Sequence, residues 1–200
     1  MTTEHEKEMI EGMLAKTNIK AGDVFVDIGA NIGQELQYLA LLGVTVYSYE
    51  PHPIFYNMIH NLYGNLPNVS IKEMAVSNYN GEANLFCKKS ETAINGGPSI
   101  KHKFNCLSVP SYKVKVIKIT DIIKPILEKH GTIKVLKIDT EGSEFDILKD
   151  LMESDIDLSK IEYLYMEDHY GEIGNEDYYT TRDFVIDNWP KTNGPKIRGW

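Results

Sequence analysis

Val24-Phe25-Val26-Asp27-Ile28-Gly29-Ala30-Asn31-Ile32-Gly33 is the stretch on which the fold turns. A short, mostly apolar run followed at once by glycines reads as a strand buried on both faces of a parallel sheet, handing over to a helix. Glycines at that junction accept a left-handed turn and let the backbone approach a ligand. The helix N-terminal N–H groups then face the crevice at the carboxyl end of the strand. Upstream, Met9, Ile10, Met13 and Leu14 fall at helical spacing within the first twenty residues, and Lys20-Ala21-Gly22-Asp23 closes that helix. Downstream, the pattern predicts a helix over 34–42 stopped by Gly43, a strand over 44–49 ending at Glu50-Pro51, a helix over 54–63 and a strand over 69–73. Strand and helix in this alternation require right-handed crossovers and a parallel sheet.

Further along, 81–86 and 114–119 alternate as strands do and bracket a loose stretch, 88–110, rich in Ser, Asn, Gly and Lys. A helix is predicted over 121–129. Val135-Leu136-Lys137-Ile138-Asp139 is another strand ending in an acid. A helix over 144–152 and a strand over 161–166 follow, the latter running into Glu167-Asp168-His169. Beyond Tyr170 the pattern gives only a helix over 182–189, with no element in the last eleven residues.

Two hundred residues at 42% hydrophobic suffice for one full core, and no repeat or linker divides the chain. A formal charge of −8 argues against nucleic acid as a partner, since phosphate backbones are bound mainly by Lys and Arg. Cys87 and Cys106 are too few for a disulfide framework, and a reducing compartment fits. The most apolar stretch, 38–47, is interrupted by Gly43 and Thr45 and falls short of the roughly 20 residues a membrane span needs. The N-terminus lacks the apolar segment of a leader. The expectation is a soluble, cytoplasmic protein.

Two features converge on one nucleoside. The turn Gly29-Ala30-Asn31-Ile32-Gly33 follows the first strand. Glu50 closes the second, 21 residues after Gly29, where a carboxylate accepts hydrogen bonds from both ribose hydroxyls. A pyrophosphate wants G-x-G-x-x-G, and this turn has Ala and Asn where glycines are expected, so an NAD(P)-dependent oxidoreductase is disfavoured. Asp27 points the same way, because a carboxylate repels a pyrophosphate and welcomes a sulfonium or ammonium. A tight turn with no ligand, in a non-catalytic Rossmann-like binding module, is the remaining alternative.

Val26 to Gly33, Tyr49-Glu50-Pro51, Ala75-Val76-Ser77-Asn78 before Gly81, and Lys137-Ile138-Asp139-Thr140-Glu141-Gly142-Ser143-Glu144 together resemble the successive motifs of the FkbM family of S-adenosylmethionine (SAM) dependent methyltransferases. The match runs in order over 22–169. The resemblance implies an α/β, Rossmann-like three-layer sandwich with a mostly parallel, seven-stranded class I methyltransferase sheet. It makes 1–200 one methyltransferase domain: a helical segment over 1–21, the family-like core over 22–169 and a C-terminal segment over 170–200. The cofactor it implies is SAM. The first motif, with Asp27, Gly29, Ala30, Asn31 and Gly33, would contact its methionine part, Glu50 and Pro51 its ribose, and Ala75, Val76 and Ser77 its adenine. The activity implied is O-methylation of a sugar or glycan, with a deoxyhexose such as rhamnose as the acceptor to try first. The abrupt start is read as a domain of a longer glycan-assembly polypeptide, and of host cytoplasm if that polypeptide is viral.

Methyl transfer needs the acceptor oxygen held behind the methyl carbon and its proton removed. Asp139, at a strand end, and His169, on the same rim, are the two candidates for the base, with Glu141 orienting the sugar. Alternatively, Asp139, Glu167 and Asp168 offer oxygen ligands for Mg²⁺ or Mn²⁺, which would lower the pKa of the hydroxyl. The stretch 88–110 with Gly96-Gly97-Pro98 is placed to cover the acceptor, Tyr170, Tyr178 and Tyr179 to stack on a sugar ring, and His52 to touch the ribose.

Overall fold

The computed structural model describes residues 4–88, 97–101, 108–170, 173 and 176–199. Its main sheet has six strands in the order β3-β2-β1-β7-β8-β9, and every neighbouring pair is parallel. The strands are β1 (Val24–Ile28), β2 (Thr45–Tyr49), β3 (Val69–Lys72), β7 (Ile133–Ile138), β8 (Ile161–Met166) and β9 (Ile197–Gly199). All five residues of β1 are buried, as its apolar run requires of a strand with neighbours on both edges and helices on both faces.

The alternation along β1 divides the core in two. Val24, Val26 and Ile28 face one cluster, built with α4 (Ile119–His130), α5 (Glu144–Glu153) and α6 (Glu176–Asn188), where Ile122, Phe145, Leu148 and Val185 are buried. Phe25 faces the other, built with α1 (Glu4–Thr17), α2 (Leu36–Leu39) and α3 (Pro53–Tyr63), where Met13, Leu39 and Ile59 are buried. The expected α/β, Rossmann-like layering is therefore the observed one. Among the described residues no helix is long and apolar enough to cross a membrane.

Four details differ from the sequence reading. Among the described residues the main sheet has no seventh strand. Instead β4 (Ala75–Ser77), β5 (Gly81–Lys88) and β6 (Ser108–Lys118) form a separate three-stranded sheet in the order β4-β6-β5. The backbone groups of β5 are satisfied by antiparallel pairing with β6 through a register shift between Leu85 and Phe86, over a small core containing Leu85 and Val114. The helix predicted over 34–42 is only the single turn of α2, because residues 31–35 are spent in the turn that leaves β1. α6 begins at Glu176, earlier than its 182–189 pattern, since its mixed polarity hides the helical period. Finally, β9 pairs with Leu164 to Met166 of β8, although three residues are too few for any periodicity to register. Of the loose stretch 88–110, residues 89–96 and 102–107 lie outside the described residues, Gly96 and Cys106 among them.

Candidate active site

The carboxyl ends of β1, β2 and β7 frame a cleft that is lined on one side by β4 and on another by residues of the segment 97–100. The turn after β1 is set by three left-handed residues, Gly29 (φ 86°), Asn31 (φ 50°) and Gly33 (φ 78°). At Gly29 the choice of residue is forced. A Cβ there would lie 1.7 Å from the Asp139 carbonyl oxygen, so the β1 turn and the end of β7 touch backbone to backbone. The Gly29 and Ala30 N–H groups both donate to the Tyr49 carbonyl, at 3.0 and 3.2 Å, which binds the turn to the tip of β2.

Glu50 is the anchor of this corner. It is only 3% exposed, and each carboxylate oxygen accepts one backbone N–H at 2.7 Å, Oε2 from Asn31 and Oε1 from His52. Burial raises its pKa to about 7 against the lowering effect of those two hydrogen bonds. Gly29, Asn31, Glu50, Pro51, Ala75 and Val76 all line the cleft. Ala30, Gly33 and Ser77 are buried and do not line it, and Gly33 faces Ile59 and Leu36 instead. The His52 ring lies against Phe55 and Tyr112, so that residue serves Glu50 through its backbone.

Asp27 does not reach the cleft wall either. It is fully buried, accepts from Ser48 Oγ at 3.2 Å, and stands 3.4 Å from Lys137 Nζ. The parallel register explains this, because Ser48, Asp27 and Lys137 are side-by-side partners across β2, β1 and β7. The Lys137 ammonium also lies 3.3 Å from Glu35 and 3.5 Å from Asp139, and donates to the Gly29 carbonyl at 3.2 Å. Burial works against its charge, but Glu35, Asp27 and Asp139 together more than offset that, and its pKa is raised. Burial pushes Glu35 up to about 7 and Asp139 up to about 6, in both cases with Lys137 pulling the other way. The sequence reading placed Lys137 in the strand and motif that end at Asp139 without giving it a role, and did not single out Glu35. The available signal was a lysine inside the otherwise apolar strand 133–138.

Asp139 and Glu141 line the cleft opposite Glu50. The loop between them and α5 is folded around Glu144, whose Oε1 accepts from the Thr140 N–H (2.9 Å), the Thr140 hydroxyl (3.0 Å) and the Gly142 N–H (3.0 Å). Glu141 itself takes a left-handed φ of 59°. Its carbonyl accepts from Ser99 Oγ at 2.6 Å, and a Cβ on Gly97 would overlap its carboxylate, so residues 97–101 are seated on it. His169 is buried between two acids, with Nδ1 3.1 Å from Glu144 and Nε2 3.1 Å from Glu141. Burial opposes its charge, but those two carboxylates carry its pKa up to about 11. Both ring nitrogens then donate, and neither has a lone pair for a substrate proton.

Ligand atoms of Asp139, Glu141 and His169 lie within 4.8 Å of one another. Glu167 stands at the margin, 4.0 Å from His169, whereas Asp168 turns away to Arg182, at 2.9 Å, and Tyr178, at 3.3 Å. The set Asp139, Glu167 and Asp168 is thus not brought together. Tyr178 is buried against Phe145, while Tyr170 is 62% exposed and packs on Arg182 and Tyr179.

A glycine-shaped turn beside a buried carboxylate at the strand tips, with a second acid lining the same cleft, lies where open α/β sheets bind ligands. The family model for the methyltransferase FkbM domain matches residues 27–188. The chain belongs to the FkbM methyltransferase family. No curated protein matches it. For an FkbM methyltransferase the chemistry is methyl transfer, and the hydride-transfer alternative lapses together with its missing glycines. The matched span begins at Asp27 and takes in the whole cleft, from the β1 turn to His169.

Proposed function

We propose that the chain transfers the methyl group of SAM to a hydroxyl of a sugar or glycan. The observation that carries this reading is Glu50, a buried carboxylate fixed by two backbone N–H groups at the tip of β2, beside a turn too tight for any side chain at Gly29. Each of its oxygens keeps a lone pair for a ribose hydroxyl. Ala75 and Val76 supply an apolar wall that suits an adenine, and the cleft-facing backbone of Gly29 and Asn31 suits the methionine part. Bound there, SAM supplies a methyl carbon made electrophilic by the adjacent sulfonium.

The remaining work falls to the chain's own residues. Asp139 faces the cleft with a pKa of about 6, so at neutral pH it is an ionised base beside the acceptor. Asp139 takes the proton of the acceptor hydroxyl, whose oxygen would bond to the methyl carbon that a bound SAM would supply, the sulfur keeping the C–S electron pair. Glu141 orients the sugar by accepting from a neighbouring hydroxyl, and His169 holds Glu141 in place. Of the two candidates for the base, the geometry favours Asp139, because His169 is clamped as an imidazolium. Were Mg²⁺ or Mn²⁺ to take part and lower the hydroxyl pKa, Asp139 and Glu141 would hold it, and His169 would join them only after giving up its Nε2 proton.

The test is mass spectrometry of a panel of glycosides, rhamnosides first, after incubation with SAM. A gain of one methylene on a hydroxyl, at a rate about 100-fold or more lower in Asp139→Asn but unchanged in EDTA, is the expected result. Methylation confined to amine or carboxylate acceptors would overturn the reading, and loss in EDTA would mean that a metal activates the hydroxyl whose proton the chain removes.

A further inference from the structure

We propose that Lys137 is a positioning residue for the transfer: from beneath the strand tips its ammonium ties the cleft-facing carboxylate of Asp139 to the donor-binding turn at Gly29. The inference rests on Asp139 being the base and on the cleft holding SAM.

Four contacts carry it. Lys137 Nζ lies 3.5 Å from Asp139 Oδ2 and 3.2 Å from the Gly29 carbonyl oxygen, and 3.4 and 3.3 Å from Asp27 and Glu35. Asp27 and Glu35 are sealed from the cleft, at 0% and 2% exposure. They hold the ammonium from behind. Asp139 and Gly29 are cleft-lining residues, on the two strands between which donor and acceptor must meet. A purely structural ion pair would need neither of them, since Asp27 alone, the adjacent partner in the β1–β7 register, supplies the counter-charge. Burying one cation among three carboxylates is costly in a low-dielectric interior and is hard to justify by stability alone. The arrangement instead fixes the distance between the proposed base and the backbone that receives the donor, and small misplacement of such groups is costly to transfer rates. Lys137 is not a catalytic residue here, because it touches the base and the turn and lies under the cleft floor at 3% exposure.

A double-mutant cycle separates this role from a structural one, with S-adenosylhomocysteine affinity by calorimetry as the readout independent of turnover. Lys137→Met should lower kcat about 100-fold or more and weaken S-adenosylhomocysteine about tenfold through the loosened Gly29 turn. In an Asp139→Asn background the same change should cost almost nothing further in kcat, because its target is already gone, yet still cost the tenfold in affinity. Lys137→Arg should recover part of both losses. Should Lys137→Met fail to fold with its acids uncompensated, the comparison is made in Asp27→Asn/Glu35→Gln, where the acids behind the ammonium are neutral. Additive losses in kcat, or unchanged S-adenosylhomocysteine affinity in a folded Lys137→Met, overturn the inference. An Asp139→Asn variant with undiminished kcat sinks the reading of Asp139 as base instead, and an unmodified chain that fails to bind S-adenosylhomocysteine sinks the donor assignment.

Discussion

Replacing Gly29 by alanine tests the backbone contact on which the cleft is built. Two costs are superimposed at that position. The left-handed φ of 86° strains any residue with a Cβ by roughly 1–2 kcal/mol. The new Cβ would also sit 1.7 Å from the Asp139 carbonyl oxygen and 2.8 Å from its carbon, an overlap that only a shift of β1 against β7 relieves, at roughly 1–3 kcal/mol more. Gly22 provides the control. Its φ is 88°, and a Cβ there meets nothing within 4 Å, so Gly22→Ala carries the strain without the overlap. The gain from a stiffer unfolded chain is common to both and cancels in the difference. Urea denaturation should therefore place Gly29→Ala about 1–3 kcal/mol below Gly22→Ala, the cost of the overlap alone. Gly29→Ala should also lose methyl transfer out of proportion to its stability, because the strand shift moves Asp139. Equal denaturation midpoints for the two variants would refute the close approach.

Glu50→Gln replaces a charged acceptor by a neutral one and leaves one backbone N–H facing an amide N–H₂, so S-adenosylhomocysteine affinity should fall roughly 10- to 100-fold by calorimetry. The pH dependence of kcat/KM should rise with pH through about 6, where Asp139 becomes a carboxylate; a rise only near 11 would make His169 the base. Stability should move the opposite way. Glu35 and Glu50 bind protons more tightly when folded, with pKa values near 7 against an ordinary 4.5, so their contribution is complete below about 4.5 and is lost as pH rises through 7. His169 extends the loss from 6.5 towards 11, while His52, held neutral by burial, opposes it only at the acid end. The Tm should fall between pH 5 and pH 9, and Glu35→Gln should flatten that slope in scanning calorimetry. Asp168→Asn should leave turnover within about twofold, since Asp168 serves Arg182 and Tyr178.

What the sequence disclosed follows the range of the forces involved. Strand β1, the Gly29 turn and Glu50 are legible because a buried strand, a left-handed turn and a strand-end acid each leave a local mark. The place of Asp27 is not local. Whether it greets a ligand or pairs with Lys137 is decided by the register between β1 and β7, strands more than a hundred residues apart in sequence. The same holds for His169, whose role depends on two glutamates delivered by a different loop, and for Glu35, which reads as an ordinary polar residue near a helix start until Lys137 comes to rest beside it. The separate β4-β6-β5 sheet was likewise beyond periodicity, which announces strands but not their partners.

The account stands on a donor lying across the tips of β1 and β2, and a crystal structure with S-adenosylhomocysteine examines that directly. Both ribose hydroxyls should lie within hydrogen-bond distance of the Glu50 carboxylate, with the sulfur on the Asp139 side of the cleft. A ligand seated elsewhere, or a ribose with no contact to Glu50, would contradict it.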